Sequence, residues 1–331
     1  MINSRSRRRL GIGALGLVAL AASACGGESS DEGGSADTYP SEQLNWTVAS
    51  GAGGGSDLLT RLMAEILKEE ELYTEPIVVT NREGGDGAIG WGHTFNAEGD
   101  PYELATLSTS MITTPLVADT PWDVTDFTHI TIFGTDSGIL VVPGADGPKS
   151  LQEFVANAKE DPPSIGMVNA TGPEFLLSSI IAEETGFEFE SVPFAAMGEV
   201  QTALLSGSID AAVGEATELM GLIESGDVKP LVYGGSVLPT ALEGVVPTLQ
   251  DEGVDASLST PRGFVMPPGV TPEERDWWVE TMKKAVQTPE WKEYLDDNLI
   301  AEETYYGEDA EKYASEVSDT FERILEDAGA L

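Results

Sequence analysis

Cysteine and histidine are nearly missing from this sequence. Among 331 residues there is one cysteine, Cys25, and there are two histidines, His93 and His129. A single cysteine excludes an intramolecular disulfide, and so few ligands argue against a metal site built from histidine and cysteine. A catalytic triad would need one of the two histidines, and the Gly-x-Ser-x-Gly motif of serine hydrolases does not occur. We therefore expect both histidines to have structural roles.

Basic residues are also scarce. The chain has 17 lysines and arginines against 57 aspartates and glutamates, which gives a formal net charge of −40. No nucleic-acid partner is expected, because phosphate binding needs a basic surface. Such a charge repels itself in dilute buffer but is screened when the Debye length falls to about 3 Å near 1 M salt. The composition indicates a halophilic protein; the alternative is an acidic surface that only maintains solubility.

Long apolar segments are missing too, apart from one run at the N-terminus. The stretch RSRRRLGIGALGLVALAASAC, residues 5–25, has basic residues, a short apolar run and small residues, in the order of a secretory signal. Its arginines fit export by the twin-arginine route and by the general secretory route. The small residues before Cys25 resemble a lipoprotein cleavage site. We expect a signal peptide over residues 1–24 and a lipid on Cys25; the alternative is a free cysteine near a cleavage site.

The next segment, residues 25–42, is rich in glycine, serine and acids. It has too few apolar residues to form a core, and we expect it to be a flexible tether at the membrane surface.

From residue 43 onward, strand-like and helix-like segments alternate. Strand-like stretches include LNWTVAS, YELATLS and THITIFG. Such alternation predicts an α/β fold with mainly parallel sheets. We expect a first lobe from residues 43–139 plus 264–331 and a second lobe from residues 140–263. Near the C-terminus, two amphipathic helices are predicted around residues 277–286 and 310–325.

Each predicted lobe has a polar turn between a strand and a helix. The turns are GAGGGSD, residues 51–57, and NATGPEF, residues 169–175. Ligands of open α/β sheets lie outside the carboxyl ends of the strands, so the two turns would face each other across a cleft. The bare amides of the glycine turn and of the following helix favour an anion, with Ser56 or Asp57 as the helix cap. No lysine follows the turn, which excludes a nucleotide phosphate loop; a tight turn without a ligand is the alternative.

Five stretches, in this order, carry a resemblance to a known family. They are VASGAGGGSDLLTRLMAE, VVTNREGGDGAIG, WDVTDFTHI with ILVVPG, VPFAAMGEVQTALLSGSID, and VVPTLQDEGVD leading into RGFVMPPGVTPEE. Over residues 44–330 the chain resembles the extracytoplasmic solute receptors of tripartite tricarboxylate transporters, also called Bug receptors. The resemblance implies a two-lobed α/β fold of the periplasmic-binding-protein type (type II-like), with a small carboxylate in the cleft. It further implies delivery of the solute to a membrane permease, without catalysis or a cofactor. We expect the receptor to be a monomer.

The resemblance also implies which residues line the cleft. In the first lobe they are Gly54, Gly55, Ser56, Asp57, Asn81, Gly85 and Asp86, and in the second lobe Asn169, Thr171, Gly172, Phe194 and Ala195. The second-lobe stretches depart from the usual pattern of the family, so the solute of a relative is not transferred to this chain.

Two charged residues complete the expected site. Arg262 is the one arginine between Arg82 and Arg275, and it lies where the chain returns to the first lobe. An arginine there would bind a carboxylate in a bidentate manner; the alternative is a salt bridge to one of many acids. Glu215 would suit an amino group of the ligand if it faces the cleft, and otherwise it lies solvated in a loop.

Two other functions stay open on the sequence alone. A receptor that signals to a membrane partner would share these features, and the sequence does not separate sensing from transport. A hydrolase that uses Ser56 is less favoured, because it would need a base beside this serine.

Overall fold

The computed structural model describes residues 39–331 except residues 169, 171, 328 and 330. Several expectations fall outside the described residues. They are the signal peptide, the lipid on Cys25, most of the tether, and the roles of Asn169 and Thr171. Within the described part, no helix is both long and apolar enough to cross a bilayer.

The strands, except the last, occur in stretches that the sequence marks as strand-like, and most of their central side chains are buried and apolar. In chain order they are β1 (Leu44–Val48), β2 (Ile77–Asn81), β3 (Glu103–Leu107), β4 (Thr128–Asp136), β5 (Gly138–Pro143), β6 (Ser164–Val168), β7 (Glu190–Phe194), β8 (Ala211–Glu215), β9 (Val228–Tyr233), β10 (Thr260–Met266) and β11 (Tyr305–Tyr306). The stretches LNWTVAS, YELATLS and THITIFG thus form β1, β3 and β4, as expected.

The strands form two sheets. The first has the order β11-β4-β10-β3-β1-β2, and the second has the order β7-β6-β8-β5-β9. Strand β1 is parallel to β2 and β3, and β6 is parallel to β7 and β8. The expectation of mainly parallel sheets is wrong in detail. The strands that follow a passage between the sheets, β5 and β10, run antiparallel to their neighbours.

The helices alternate with the strands and then follow one another near the C-terminus. They are α1 (Gly55–Glu69), α2 (Ala88–Phe95), α3 (Thr109–Val117), α4 (Leu151–Ala158), α5 (Pro173–Thr185), α6 (Met197–Leu205), α7 (Ala216–Ser225), α8 (Pro272–Ala285), α9 (Pro289–Asp297) and α10 (Glu308–Asp327). Helices α8 and α10 are the two that the sequence predicts. Helix α9 lies between them and was not expected.

One buried cluster fixes the elements of the first sheet relative to each other. It joins Trp46 of β1, Met63 of α1, Phe264 of β10, Trp278 of α8 and Trp291 of α9. The rings of Trp46 and Phe264 meet edge to face at 4.7 Å. Each large apolar side chain that is fully buried stabilises the fold by about 1.5–3 kcal/mol, so α1 and α9 are held firmly on the same sheet.

The first passage of the chain between the sheets takes a single residue. Strand β4 ends at Asp136 and β5 begins at Gly138, with Ser137 between them. Asp136 pairs with Thr260 of β10, and Gly138 pairs with Glu215 of β8. The ends of β4 and β8 and the start of β10 therefore lie together at the junction of the two sheets. The expected lobe limits, at 139/140 and 263/264, stay a prediction.

Gly138 allows this close passage. A Cβ atom at this position would lie 2.9 Å from Val213 Cγ1 and 3.1 Å from Leu177 Cδ2. A larger residue would push the start of β5 away from β8, and with it the pairing that places Glu215 at the junction.

Candidate functional site

A cleft opens at the junction of the two sheets. It has a volume of about 210 Å³ and is lined by Gly55, Ser56, Leu59, Asp136, Glu215, Thr217, Arg262, Tyr294, Asn298 and Ile300. The N-termini of two helices, α1 and α7, contribute Ser56 and Thr217 to this lining. Because a helix N-terminus carries unpaired N–H groups and a partial positive charge, the cleft suits a negatively charged group.

The glycine turn ends at the first residue of α1. Gly53 has a φ of 82°, a left-handed conformation that favours glycine, and the extended Gly54 is the cap of α1. The Gly54 N–H donates to the Gly51 carbonyl oxygen at 3.3 Å. The N–H groups of Gly55 and Ser56 donate to no other described residue, and the Ser56 hydroxyl has no hydrogen-bond partner among them. Two amides and one hydroxyl of this turn are therefore available to a ligand.

The expected cap, Ser56 or Asp57, is wrong, because the Asp57 side chain points back into the turn. The residue is 3% exposed, and its carboxylate accepts from the Gly53 N–H at 2.8 Å and from Asn81 Nδ2 at 3.0 Å. It also forms an ion pair with Arg61 at 2.9 Å. The hydrogen bond from Arg61, with those from Gly53 and Asn81, lowers the pKa of Asp57 to about 2 against the cost of burial. Asp57 and Asn81 therefore stabilise the conformation of the turn by hydrogen bonds.

Arg262 is bonded to Asp136 inside the cleft. Both its Nε, at 2.7 Å, and its Nη2, at 2.5 Å, contact Asp136 Oδ2. The other carboxylate oxygen of Asp136 accepts from the Thr260 hydroxyl. Desolvation opposes the charge of Arg262, but Asp136 and Glu215 outweigh it and raise the pKa of Arg262 above its usual value. Arg262 therefore lines the cleft and forms a salt bridge, which is the alternative that the sequence analysis gave. That it binds a carboxylate of the ligand stays a prediction.

Glu215 also lines the cleft. Its Oε1 lies 3.7 Å from Arg262 Nη2, and its side chain is 50% exposed. Desolvation and the nearby charge of Asp136 raise the pKa of Glu215, and Arg262 partly offsets this. The residue precedes α7 as its cap but makes no capping hydrogen bond with its side chain.

Two further glutamates interact electrostatically with Glu215. They are Glu174, in the first turn of α5, and Glu218, in the first turn of α7. Burial, followed by the charges of Glu215 and Glu218, raises the pKa of Glu174 to about 7. The surroundings of Glu215 are therefore strongly acidic.

Helix α9 supplies residues that the sequence analysis missed. The Tyr294 hydroxyl donates to the Gly55 carbonyl oxygen at 3.4 Å, and Asn298 Nδ2 donates to the Tyr294 carbonyl oxygen at 2.8 Å. Desolvation raises the pKa of the Tyr294 phenol, although Arg262 lowers it. Asp136, the last residue of β4, and Thr217, in the first turn of α7, were missed too.

Of the residues expected in the site, the cleft brings Gly55, Ser56, Glu215 and Arg262 together. Gly54 lies next to Gly55 as the cap of α1.

Other expected residues lie elsewhere in the described structure. Gly85 and Asp86 belong to the loop before α2, where the Thr114 hydroxyl donates to the Asp86 carbonyl oxygen at 2.8 Å. Gly172 is the cap of α5. Phe194 lines a different hollow, and the Ala195 N–H donates to a Glu199 carboxylate oxygen at 3.3 Å. In this structure, these residues are not part of the lining of the cleft.

Both histidines lie outside this lining. His129 is buried, and its Nε2 is 2.8 Å from the Val124 carbonyl oxygen. His93 Nε2 lies 3.5 Å from Glu103 Oε1. No histidine or lysine is therefore among the described residues around Ser56 in the cleft. Among the residues that the structure describes, no group of three or more histidine, cysteine, aspartate or glutamate side chains could hold a metal ion.

Comparison with known proteins agrees with this architecture. Residues 59–330 match the family described as Tripartite tricarboxylate transporter family receptor. A UPF0065 protein from the gbd 5′ region of Cupriavidus necator is 27% identical over 323 residues, which cover 96% of this chain and 93% of that protein. The crystal structure of a TctC solute binding protein from Polaromonas, without ligand, has a TM-score of 0.81 and 26% identity, covering 88% of this chain and all of the other.

A more distant structure is that of an R. palustris protein with adipate. It has a TM-score of 0.70 and 20% identity, and it covers 88% of this chain and 98% of that protein. At this identity the likeness shows the fold alone.

Proposed function

Because the chain belongs to the tripartite tricarboxylate transporter receptor family, we propose that it binds a small carboxylate in the cleft and delivers it to the membrane subunits of such a transporter. The observation that carries the proposal is the N-terminus of α1, where the Gly55 and Ser56 amides and the Ser56 hydroxyl open into the cleft without a partner among the described residues.

A carboxylate at this position would accept hydrogen bonds from these donors. Backbone amides at a helix N-terminus bind anions well because the donors point outward and the helix dipole adds a positive charge. Ser56 adds a third donor, whose position next to the amides allows one carboxylate to contact all three. Hydrogen bonds to a charged group contribute about 1.5–3 kcal/mol each, so this contact supplies much of the affinity of a small solute.

The likeness to the R. palustris protein with adipate supports the carboxylate assignment. The two chains share the fold, and adipate carries a carboxylate at each end. We propose the class of ligand from this comparison and not adipate itself, because the two chains are only 20% identical.

We further propose that the receptor acts outside the cytoplasm and is anchored by a lipid on Cys25. In residues 5–25 basic residues precede a short apolar run, and this order supports export by the twin-arginine or the general secretory route. The acidic segment 25–42 would then separate the binding domain from the membrane and let it reach the permease. The net charge of −40 supports a role in high salt.

A thermal-shift panel tests carboxylate binding. The purified protein is heated in molar KCl with mono-, di- and tricarboxylates and with amino acids. A ligand at about 100 times its dissociation constant stabilises the folded state by about 2.7 kcal/mol, which raises the midpoint by several degrees. At least one carboxylate should do so, while the corresponding primary alcohols should not. A folded protein that no carboxylate stabilises would contradict the proposal.

A further inference from the structure

The charges that line the cleft do not favour a ligand with two negative ends. Among the described lining residues, Arg262 is the one cation, and Asp136 and Glu215 are the anions. Both contacting nitrogens of Arg262 meet Asp136 Oδ2, at 2.7 and 2.5 Å. Asp136 neutralises this arginine and occupies its Nε–Nη2 edge, so the ion pair presents no net positive charge to a second carboxylate.

Glu215 is left without a strong partner. Its distance of 3.7 Å to Arg262 Nη2 exceeds the 2.7–3.2 Å range of a hydrogen bond. No described donor forms a hydrogen bond with its carboxylate, which also makes no capping hydrogen bond to α7. A carboxylate that is partly removed from water and lacks a donor favours a cationic partner.

The position of Glu215 fits a ligand that spans the cleft. The donors at Gly55 and Ser56 belong to the first helix of one sheet, whereas Glu215 ends a strand of the other sheet, and both line the same cleft. Glu174 and Glu218 add further negative charge on the side of Glu215. A solute with a carboxylate at one end and an ammonium at the other matches both sides.

We propose that Glu215 binds an ammonium group of the solute, so that the receptor prefers amino carboxylates to dicarboxylates of the same length. The inference rests on the proposed function, since it assigns the carboxylate of the same solute to the N-terminus of α1. Glu215 is then a specificity-determining residue, and Arg262 positions Asp136 and Glu215 rather than the solute.

Isothermal titration with matched ligand pairs tests the inference. The pairs are 5-aminopentanoate with glutarate and 4-aminobutyrate with succinate. A third pair, glutamate with glutarate, tests an ammonium on the carbon next to a carboxylate. Titrations are done at pH 8 in molar KCl with the wild type, Glu215→Gln and Glu243→Gln. Glu243 is an exposed glutamate outside the cleft and serves as the matched control.

In at least one pair the wild type should bind the amino member more tightly by roughly tenfold or more, the scale of one hydrogen bond to a charged group. Glu215→Gln should remove this preference by weakening the amino member, while Glu243→Gln keeps it.

Two outcomes would overturn the inference while leaving carboxylate binding intact. One is a wild type that prefers the dicarboxylate in every pair, which would mean that Glu215 is protonated or turned away. The other is an amino ligand whose affinity is the same in Glu215→Gln. If the wild type, shown to be folded, binds neither these ligands nor any carboxylate of the thermal panel, the proposed function fails and the inference fails with it.

Discussion

Arg262 Nε and Asp136 Oδ2 lie 2.7 Å apart, although 126 positions separate the two residues in the sequence. The ion pair joins β10 to β4 at the place where the chain passes from one sheet to the other. It therefore fixes two side chains of the cleft lining, and Glu215 of the second sheet lies 3.7 Å from Arg262 Nη2.

This relationship predicts strong coupling between the two residues. Arg262→Gln and Asp136→Asn should each lower the free energy of unfolding, because each leaves a partly buried charge without its partner. The double variant should be less destabilised than the sum of the two, with a coupling of about 1–3 kcal/mol. Urea unfolding of the four proteins measures this cycle. Additive effects would show that the pair does not act as a unit.

Ser56→Ala should weaken carboxylate binding without affecting the fold. The Ser56 hydroxyl makes no hydrogen bond to the described chain, so its loss costs little stability, whereas a ligand would lose about 1–3 kcal/mol. Titration of a carboxylate that the panel identifies gives the affinity. Ser206→Ala, at an exposed serine after α6, is the control and should bind normally. If Ser56→Ala also binds normally, the hydroxyl does not contact the ligand.

The acidic group around Glu174 predicts a loss of stability as pH rises. Burial and the charges of Glu215 and Glu218 raise the pKa of Glu174 to about 7, from 4.5. Because the folded state holds this proton more tightly, the contribution to stability is full below pH 4.5 and is lost as pH rises to about 7. Glu174→Gln should therefore be more stable than the wild type at pH 8, on the order of 1–3 kcal/mol.

At pH 4 the wild type and Glu174→Gln should differ little in free energy of unfolding, because Glu174 then carries its proton. Glu184→Gln removes one exposed charge from the same helix and corrects for the general effect of fewer negative charges. An equal gain in both variants at pH 8 would contradict a raised pKa at Glu174.

The net charge of −40 predicts that salt stabilises the fold. Raising KCl from 0.1 M to 2 M screens the repulsion between acids, since the Debye length falls from about 10 Å to below about 3 Å. The thermal midpoint should rise over this range, and sodium sulfate at matched ionic strength separates screening from salting-out. A midpoint that does not change would remove the argument for a halophilic protein.

The sequence predicts the fold well where local signals are strong. The strand before the glycine turn and the cap of α8 can both be predicted from neighbouring residues. Thr271 accepts from the Glu274 N–H at 3.3 Å, and the Glu274 carboxylate accepts from the Thr271 N–H at 3.0 Å. Such caps depend on residues three positions apart, which a single sequence displays.

Helix α9 shows where local signals were overlooked. It has nine residues and begins at Pro289, with Thr288 as its cap. Thr271 and Pro272 are the same pair of residue types at the start of α8. Its threonine cap and its proline were a usable signal. The omission matters because this helix carries Tyr294 and Asn298 into the cleft.

Other features of the site depend on tertiary contacts and could not be predicted from neighbouring residues. No local pattern tells that Arg262 pairs with Asp136 rather than with another of the many acids, because the choice depends on the register of β10 against β4. The same is true of Asp57, which the sequence offers, beside Ser56, as the cap of α1. Its carboxylate is held behind the turn by Asn81, which lies 24 positions away.

The most direct test of the account is to observe the amides at the start of α1 while a carboxylate binds. In a protein labelled with ¹⁵N at glycine and serine, the Gly55 and Ser56 resonances should shift most, and they should saturate together with the heat of binding. The glycines of exposed turns remote from the cleft, such as Gly207 and Gly253, should hardly change. If the carboxylate binds while Gly55 and Ser56 keep their resonances, the ligand is held elsewhere, and the central claim of a carboxylate site at the N-terminus of α1 is wrong.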